Sequence, residues 1–281
     1  MSKPDHSTTL QLIFFVSVMI GLWHSELFFR VESLKDKWKH TALNLHFLAT
    51  ATLVQLPLTI VVIKVSDWAA DHEWGLLYHI PFSENFMVKF FIGFVLMDFF
   101  EYVYHYTMHN LGFLWNFHLI HHSDTKMDVS TTVREHPGET FFRVSFMVLT
   151  VFITGLPLAI LLVRQFIQSF SNIIAHTSIH VPKKLDDKLK YVFITPRLHK
   201  VHHHDKLPYT DSNFGDVLCI WDRLFGTYIE LDESRINFGI DVLVTSEIKT
   251  FSKLVAYPFQ KKNQIDTENE HIELLTPEFD N

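Results

Sequence analysis

Stretches of about 20 mainly apolar residues, the length a bilayer core demands of an α-helix, recur along this chain and constrain its fold more than any other feature. Leu10–Phe29 is the first, with His24 and Glu26 near its end marking the approach to a polar boundary. It is long enough to span and lacks the small-residue cleavage site of a signal peptide. Thr41–Val65 and Phe86–Tyr104 are the second and third spans. A fourth apolar stretch, Thr140–Val163, resumes to Ala175, and Gly155-Leu156-Pro157 divides it into a helical hairpin or two short spans. The fold class expected is therefore all-α: an integral-membrane helical bundle of about four to five spans or half-spans.

Charge orients the bundle. The linker Arg30–His40 is rich in lysine, whereas Ser66–Asn85 carries Asp67, Asp71, Glu73 and Glu84, with Trp68, Trp74 and Tyr78 suited to an interface. Lysine and arginine are held on the cytoplasmic side of short loops, so the first linker faces the cytoplasm and the acidic segment the outside. The third span then re-enters, and the hairpin starts and ends inside. Every histidine cluster consequently falls on one face, in a cytoplasmic histidine-rich helical cap. Residues 181–281 are more polar: Asp211–Tyr228 reads as a loop and an amphipathic segment, Val242–Phe259 as a short helix or strand packed on the body. The tail from Gln260 is charged and expected to be mobile. A single membrane-embedded domain over 1–281 is expected, with N-terminal spans in 1–85, a catalytic core in 86–230 and a C-terminal cap and tail in 231–281. Its location is a bacterial inner membrane, or the endoplasmic reticulum of a eukaryote.

The net charge of -7 excludes nucleic acid as a partner, because phosphate-binding surfaces need clustered Lys and Arg. A single cysteine, Cys219, excludes an internal disulfide and any cysteine-based zinc or iron–sulfur site. Histidine is the unusual residue: 19 are present, 12 of them between His105 and His204. They form His105-x3-His109, His118-x2-His121-His122, His176-x3-His180 and His199-x2-His202-His203. Spacings of three and four place side chains on one helical face, so each cluster can present its imidazoles to a common point. Neutral imidazole ligates iron, zinc and copper. Ten such ligands, five per ion, fill two metal sites with positions left open, and the repeated H-x2-H-H reads as two matching tripods, one for each metal. One H-x3-H alone is a pair of ordinary surface histidines; four clusters so close together are not. His204 breaks the spacing and is either solvent-facing or functional.

Neighbouring polar residues are candidates for orienting the ligands. Asp98 and Glu101 share a helical face with His105 and His109. A carboxylate in or beside a span is costly unless partnered, so Asp98 is expected to accept the N–H of a ligand imidazole, while Glu101 is either such a partner or a solvated helix end. His136 is an eleventh ligand or a group orienting one, or else a structural histidine capped by Arg134 and Glu139. Asn172, four residues before His176, orients it or makes a polar contact inside the hairpin. His136-Pro137-Gly138 begins like the haem motif of cytochrome b5, but Glu139 follows and no haem domain fits around it, so haem is rejected.

These clusters, with Asn172-Ile-Ile-Ala-His176-Thr-Ser-Ile-His180, Thr195-Pro-Arg-Leu-His199-Lys-Val-His-His203 and Asn213-Phe-Gly-Asp216…Trp221-Asp-Arg-Leu-Phe-Gly-Thr-Tyr228, resemble the fatty acid hydroxylase/sterol desaturase superfamily over roughly Asp98 to Tyr228. The resemblance implies a membrane bundle whose cytoplasmic cap holds two Fe ions (replaceable by zinc during expression), with the ten clustered histidines as ligands. It also implies O2 as co-substrate and hydroxylation or desaturation of C–H bonds in lipid chains, head groups or sterols. With no fused cytochrome b5 domain in the sequence, the expected electron donor is a separate ferredoxin or cytochrome b5-like protein.

The chemistry agrees. An unactivated C–H bond is beyond acid–base catalysis and needs a redox centre, which zinc is not. A lipid substrate entering laterally explains the membrane. A zinc-dependent membrane hydrolase needs fewer histidines, and no H-E-x-x-H is present; a metal transporter would place its ligands mid-span, whereas these lie among Asp124, Lys126, Asp128, Lys200 and Asp205.

Overall fold

The computed structural model describes residues 6–27, 33–81, 84–240 and 250–260. The expected mobile tail beyond Gln260, and residues 241–249, lie outside them. The regular elements of the described chain are all helices, and its only β-pairings are two isolated bridges, Phe193 with Leu218 and His204 with Phe238.

Helix α1 covers His6–Glu26 and α2 Leu34–Asp71. The lysine-rich linker is thus mostly the opening of α2, which Ser33 caps by accepting from the Asp36 N–H. At 38 residues α2 is about 57 Å long, nearly twice the roughly 30 Å hydrocarbon core of a bilayer. Its chemistry changes accordingly along its length. The first turns bury Lys37, Thr41 and Asn44, while Leu53, Leu56 and Ile60 further along are largely exposed. α3 spans Phe86–Asn110, α5 Pro137–Thr154 and α6 Leu158–His176. Among the described residues, α2 and α6 are long and apolar enough to cross a membrane. Phe91 and Val95 on α3, Leu149 and Phe152 on α5, and Leu162 and Phe170 on α6 also face outward. In water such a surface would be an association site; in a bilayer it is the lipid-facing side of a membrane protein.

Inside, Val62, Leu77, Met97, Val144, Val151 and Ile160 pack α2, α3, α5 and α6 into one core. The turn between α5 and α6 is fixed by two glycines. Gly155 ends α5 at φ 67°, and a Cβ there would lie 1.9 Å from the Trp74 carbonyl oxygen. A Cβ on Gly75 would in turn lie 2.3 Å from the Gly155 nitrogen, and Trp74 donates its indole N–H to the Phe152 carbonyl. The expected hairpin break at Gly155-Leu156-Pro157 is present, with Pro157 immediately preceding α6.

At the opposite end, short helices close over the bundle: α4 Gly112–His122, α7 Lys183–Leu189, α8 Pro196–His202, α9 Ile220–Phe225 and α10 Phe251–Ala256. A buried polar network anchors α2 there. Glu26 accepts from Lys37 at 2.8 Å and from the Val129 N–H, and Asn44 donates to Ser130 and accepts from Arg134. His40 sits 2.8 Å from Asp124. These contacts hold the short 3-10 turn Val129–Val133, which links α4 to α5, against α1 and α2.

Candidate metal centre

Four helix ends converge at this pole. The last turns of α3 bring His105 and His109, α4 brings His118, His121 and His122, α6 ends on His176, and α8 with its capping residue brings His199, His202 and His203. Thr195 and Pro196 start α8, the threonine hydroxyl accepting from the Leu198 N–H. Nine imidazoles then fall into two groups. His105, His109, His118, His122 and His202 form one; His121, His176, His199 and His203 form the other; in each, the ligand atoms lie within 4.8 Å of one another.

The two H-x2-H-H motifs are therefore not one tripod per metal. His118 and His122 serve the first group while His121 turns to the second; His199 and His203 serve the second while His202 turns to the first. Helical rotation explains the split. Positions i and i+4 lie about 40° apart, whereas i+3 falls about 60° to the other side. Each motif consequently bridges both groups, and the stacked rings of His122 and His203, 4.4 Å between centroids, mark the seam.

Most of these rings are fixed through Nδ1. His105 donates to the Phe214 carbonyl at 3.0 Å, His121 to Arg134 at 3.1 Å, His176 to Asn172 at 2.8 Å and His202 to Ser212 at 2.7 Å. His118 donates to Glu139 Oε1 at 2.6 Å and His109 to Asp211 Oδ1 at 3.0 Å. With the proton on Nδ1, Nε2 carries a lone pair directed at the group's centre. His105 and His118 bring two such Nε2 atoms within 3.1 Å, and His121 and His176 do the same at 3.1 Å. Lone pair facing lone pair at that distance is repulsive unless a cation lies between. Protonation does not relieve it: burial pushes His118 down to about 3 and His121, His122, His199, His202 and His203 well below the ordinary value, neighbouring imidazoles adding to the effect in those five. Nε2 of His109 and His202, and both ring nitrogens of His122 and His203, are buried with no hydrogen-bond partner among the described residues. The donor set thus fits two metal ions bound by nitrogen alone.

His180 is elsewhere. It is exposed, its Nδ1 2.7 Å from Glu233 Oε2, and it joins neither group, because α6 ends at His176 and the helical phase of the H-x3-H spacing is lost. His136 is not a ligand either: it caps α5, accepting from the Gly138 N–H through Nδ1 and donating through Nε2 to the Val255 carbonyl. Arg134 and Glu139, expected as its caps, bind Ile120, Asn44 and Ser123, and His118, respectively. His204 is buried against the Arg235 carbonyl and the Lys206 N–H. Asn172 serves His176 through its backbone carbonyl, and its side chain meets Asp216. Glu101 pairs with the buried Arg164 at 3.3 Å.

Asp98 does not touch an imidazole. Fully buried, it accepts from the Val217 and Leu218 N–H groups and from Trp221 Nε1 at 2.8 Å. Asp222 accepts from the Phe214 and Gly215 N–H groups at 2.7 and 2.9 Å. Together they clamp the loop whose Phe214 carbonyl holds His105 and whose Ser212 carbonyl holds His202. The Asn213–Tyr228 motif is therefore a scaffold that helps to orient His105 and His202. Glu139 and Asp211 are the carboxylates that bond imidazoles of the first group, and sequence reasoning missed both in that role. Glu139 stands beside His136 in a polar run before an apolar helix, which is a usable signal; Asp211 carries none.

Residues 90–227 match the model of the fatty acid hydroxylase family. The ornithine lipid hydroxylase of Rhizobium tropici is 30% identical over 174 residues, 62% of this chain and 51% of that protein. The alkylglycerol monooxygenase of Caenorhabditis elegans is 32% identical over 184 residues, 65% of this chain and 34% of that protein. The methylsterol monooxygenase 2-2 of Arabidopsis thaliana is 25% identical over 151 residues, 53% of this chain and 56% of that protein. No solved structure matches the chain. The chain belongs to the fatty acid hydroxylase/sterol desaturase superfamily. It spans about half the length of the first of these relatives and about a third of the second.

Proposed function

We propose that the protein is a membrane di-iron monooxygenase that inserts one atom of O2 into a C–H bond of a lipid. The other atom leaves as water, with two electrons drawn one at a time from a separate ferredoxin or cytochrome b5-like donor and two protons from solvent. The observation that carries this reading is the pair of imidazole groups whose Nε2 lone pairs face one another with their Nδ1 protons already committed. The relatives, whose names denote hydroxylation or monooxygenation of ornithine lipid, alkylglycerol and methylsterol, support the reaction class.

His105, His109, His118, His122 and His202 would hold one iron, and His121, His176, His199 and His203 the other. Iron there would supply the O2-dependent redox chemistry that no side chain can. The protein's own part is positional. Carbonyls and carboxylates on Nδ1 keep six of the nine rings in one tautomer and one orientation, and burial keeps the imidazoles neutral. The lysines at the start of α2 lie at the histidine pole, so the positive-inside tendency puts the metals on the cytoplasmic side.

The test is incorporation of isotopically labelled O2. Membranes containing the iron-loaded protein, a reductant and their own lipids should yield labelled hydroxylated lipid. Label must disappear when reductant is omitted, and with His203→Ala. Hydrolysis products without label would refute the oxygenase in favour of a zinc hydrolase.

A further inference from the structure

The two imidazole groups differ in the rings that surround them. In the second group imidazole packs on imidazole, and among the described residues no Trp, Tyr or Phe ring stacks against His121, His176, His199 or His203. The first group is set in aromatic rings. Trp115 lies 4.7 Å from His109, 5.3 Å from His122 and 6.2 Å from His118, measured between centroids. Phe214 lies 5.0 Å from His109, 5.6 Å from His105 and 5.7 Å from His202. Local sequence builds the first set of contacts: Trp115, His118 and His122 stand at i, i+3 and i+7 on one face of α4, and α3 brings His109 against the same indole.

These rings differ in how readily they give up an electron. A phenyl ring resists oxidation, so Phe214 interrupts the path to the exposed Tyr106, whose ring lies 5.4 Å beyond it. Indole is among the most readily oxidised side chains, and Trp115 needs no intermediary. It meets three imidazoles of the first group directly, is only half-buried, and packs on its other side against the cluster of Phe47, Leu119 and Ile120. The first group is also the nearer to solvent there, since His109 bonds Asp211, whose side chain is 44% exposed. Tyr104 is the competing ring: it lines the cavity that both groups share, but it is buried, stacks on Phe146 rather than on an imidazole, and donates its hydroxyl to the Glu139 carbonyl at 3.4 Å. A centre able to break an unactivated C–H bond is able to take an electron from indole, and with no lipid in place its oxidising power falls on the protein.

Resting on the oxygenase reading above, we propose that Trp115 is a one-electron relay for the metal of the first group, discharging the centre when it is oxidised with no substrate bound. Trp115 gives one electron to the O2-oxidised centre and its indole proton to water, and becomes a neutral indolyl radical. One electron from the separate donor and one proton from water then restore it. Oxidation is in this way drawn to a half-buried ring that can be re-reduced from outside, and away from the buried imidazoles of His109, His118 and His122 against which it lies.

The experiment mixes the fully reduced, iron-loaded full-length protein with O2 in detergent micelles, with no lipid added, and freeze-quenches it for EPR. The protein is grown in turn on ring-deuterated tryptophan and on ring-deuterated tyrosine. An organic-radical signal should form, narrow only with the tryptophan label, and be lost in Trp115→Phe at unchanged iron content. A signal that follows the tyrosine label, or that persists in Trp115→Phe, overturns the relay. So does the absence of any organic radical while O2 is consumed, an outcome that leaves the oxygenase intact; protein that holds no iron or consumes no O2 sinks both. Trp115→Tyr covers the case in which phenylalanine disturbs iron loading. It keeps an oxidisable ring in place, so the signal should pass from the tryptophan label to the tyrosine label, and a tryptophan radical surviving in that variant overturns the assignment.

Discussion

Glu139 touches one ligand of one group, which makes its substitution unusually informative. The carboxylate accepts from His118 Nδ1 at 2.6 Å with both side chains nearly inaccessible, and His118 belongs only to the group with His105, His109, His122 and His202. Glu139→Gln keeps the shape and one acceptor oxygen but exchanges a charge-assisted hydrogen bond for a neutral one. Charge-assisted bonds are roughly twice as strong as neutral ones, and a typical bond contributes about 1 kcal/mol net, so the change costs about 1–2 kcal/mol. That is roughly 5- to 30-fold in affinity for one metal, near the lower end of the loss usual for a ligand's hydrogen-bond partner. Titrating the iron-loaded protein with a chelator should therefore turn a single release into two, one metal leaving about tenfold more readily than the other. Parallel loss of both metals, or no change in either, would refute the assignment of His118 to a single site through Glu139.

His180→Ala should retain both metals and turnover, because His180 lies on the surface with Glu233; His203→Ala should lose metal from the second group while the protein still inserts, as metal analysis of the purified variants would reveal. The metal-free protein should lose stability as pH falls from about 6.5, the unfolded-state histidine value, toward 3, because burial lowers the folded-state values of the clustered imidazoles so that the unfolded chain binds more protons throughout that window; thermal melting should fall steeply below pH 6. An impermeant thiol reagent should modify a cysteine placed at Asp71 from outside and one placed at Lys183 only after permeabilisation; Cys219 is a poor reporter because it is fully buried.

What the sequence reveals of this site is set by the range of the interactions. The histidine clusters and the helical hairpin are legible because spacing along one helix is local, and Gly155-Leu156-Pro157 marks its own break. How the nine imidazoles divide is not local: it depends on the rotation of α4 and α8 about their axes, which only packing fixes. Asp98 shares a face with His105 and so looks like its partner, yet its carboxylate is taken by the backbone of residues 217–218 and by Trp221, over a hundred positions away in sequence. Glu139 and Asp211 reach their imidazoles from other elements; the polar run around Glu139 is a partial signal, while nothing in the neighbourhood of Asp211 announces it. The lysine-rich segment reads as a linker by charge, but Lys37 finds Glu26 and lies buried, so the helix extends through it.

The central claim is that two irons sit side by side on imidazole nitrogen alone. Metal analysis with Mössbauer spectroscopy on full-length protein purified from iron-replete cells tests it most directly. Two irons per chain, magnetically coupled and reduced to nil in a variant lacking His122 and His203, is the predicted result. One metal per chain, or two zincs in a preparation that still turns over its substrate without O2, would contradict it.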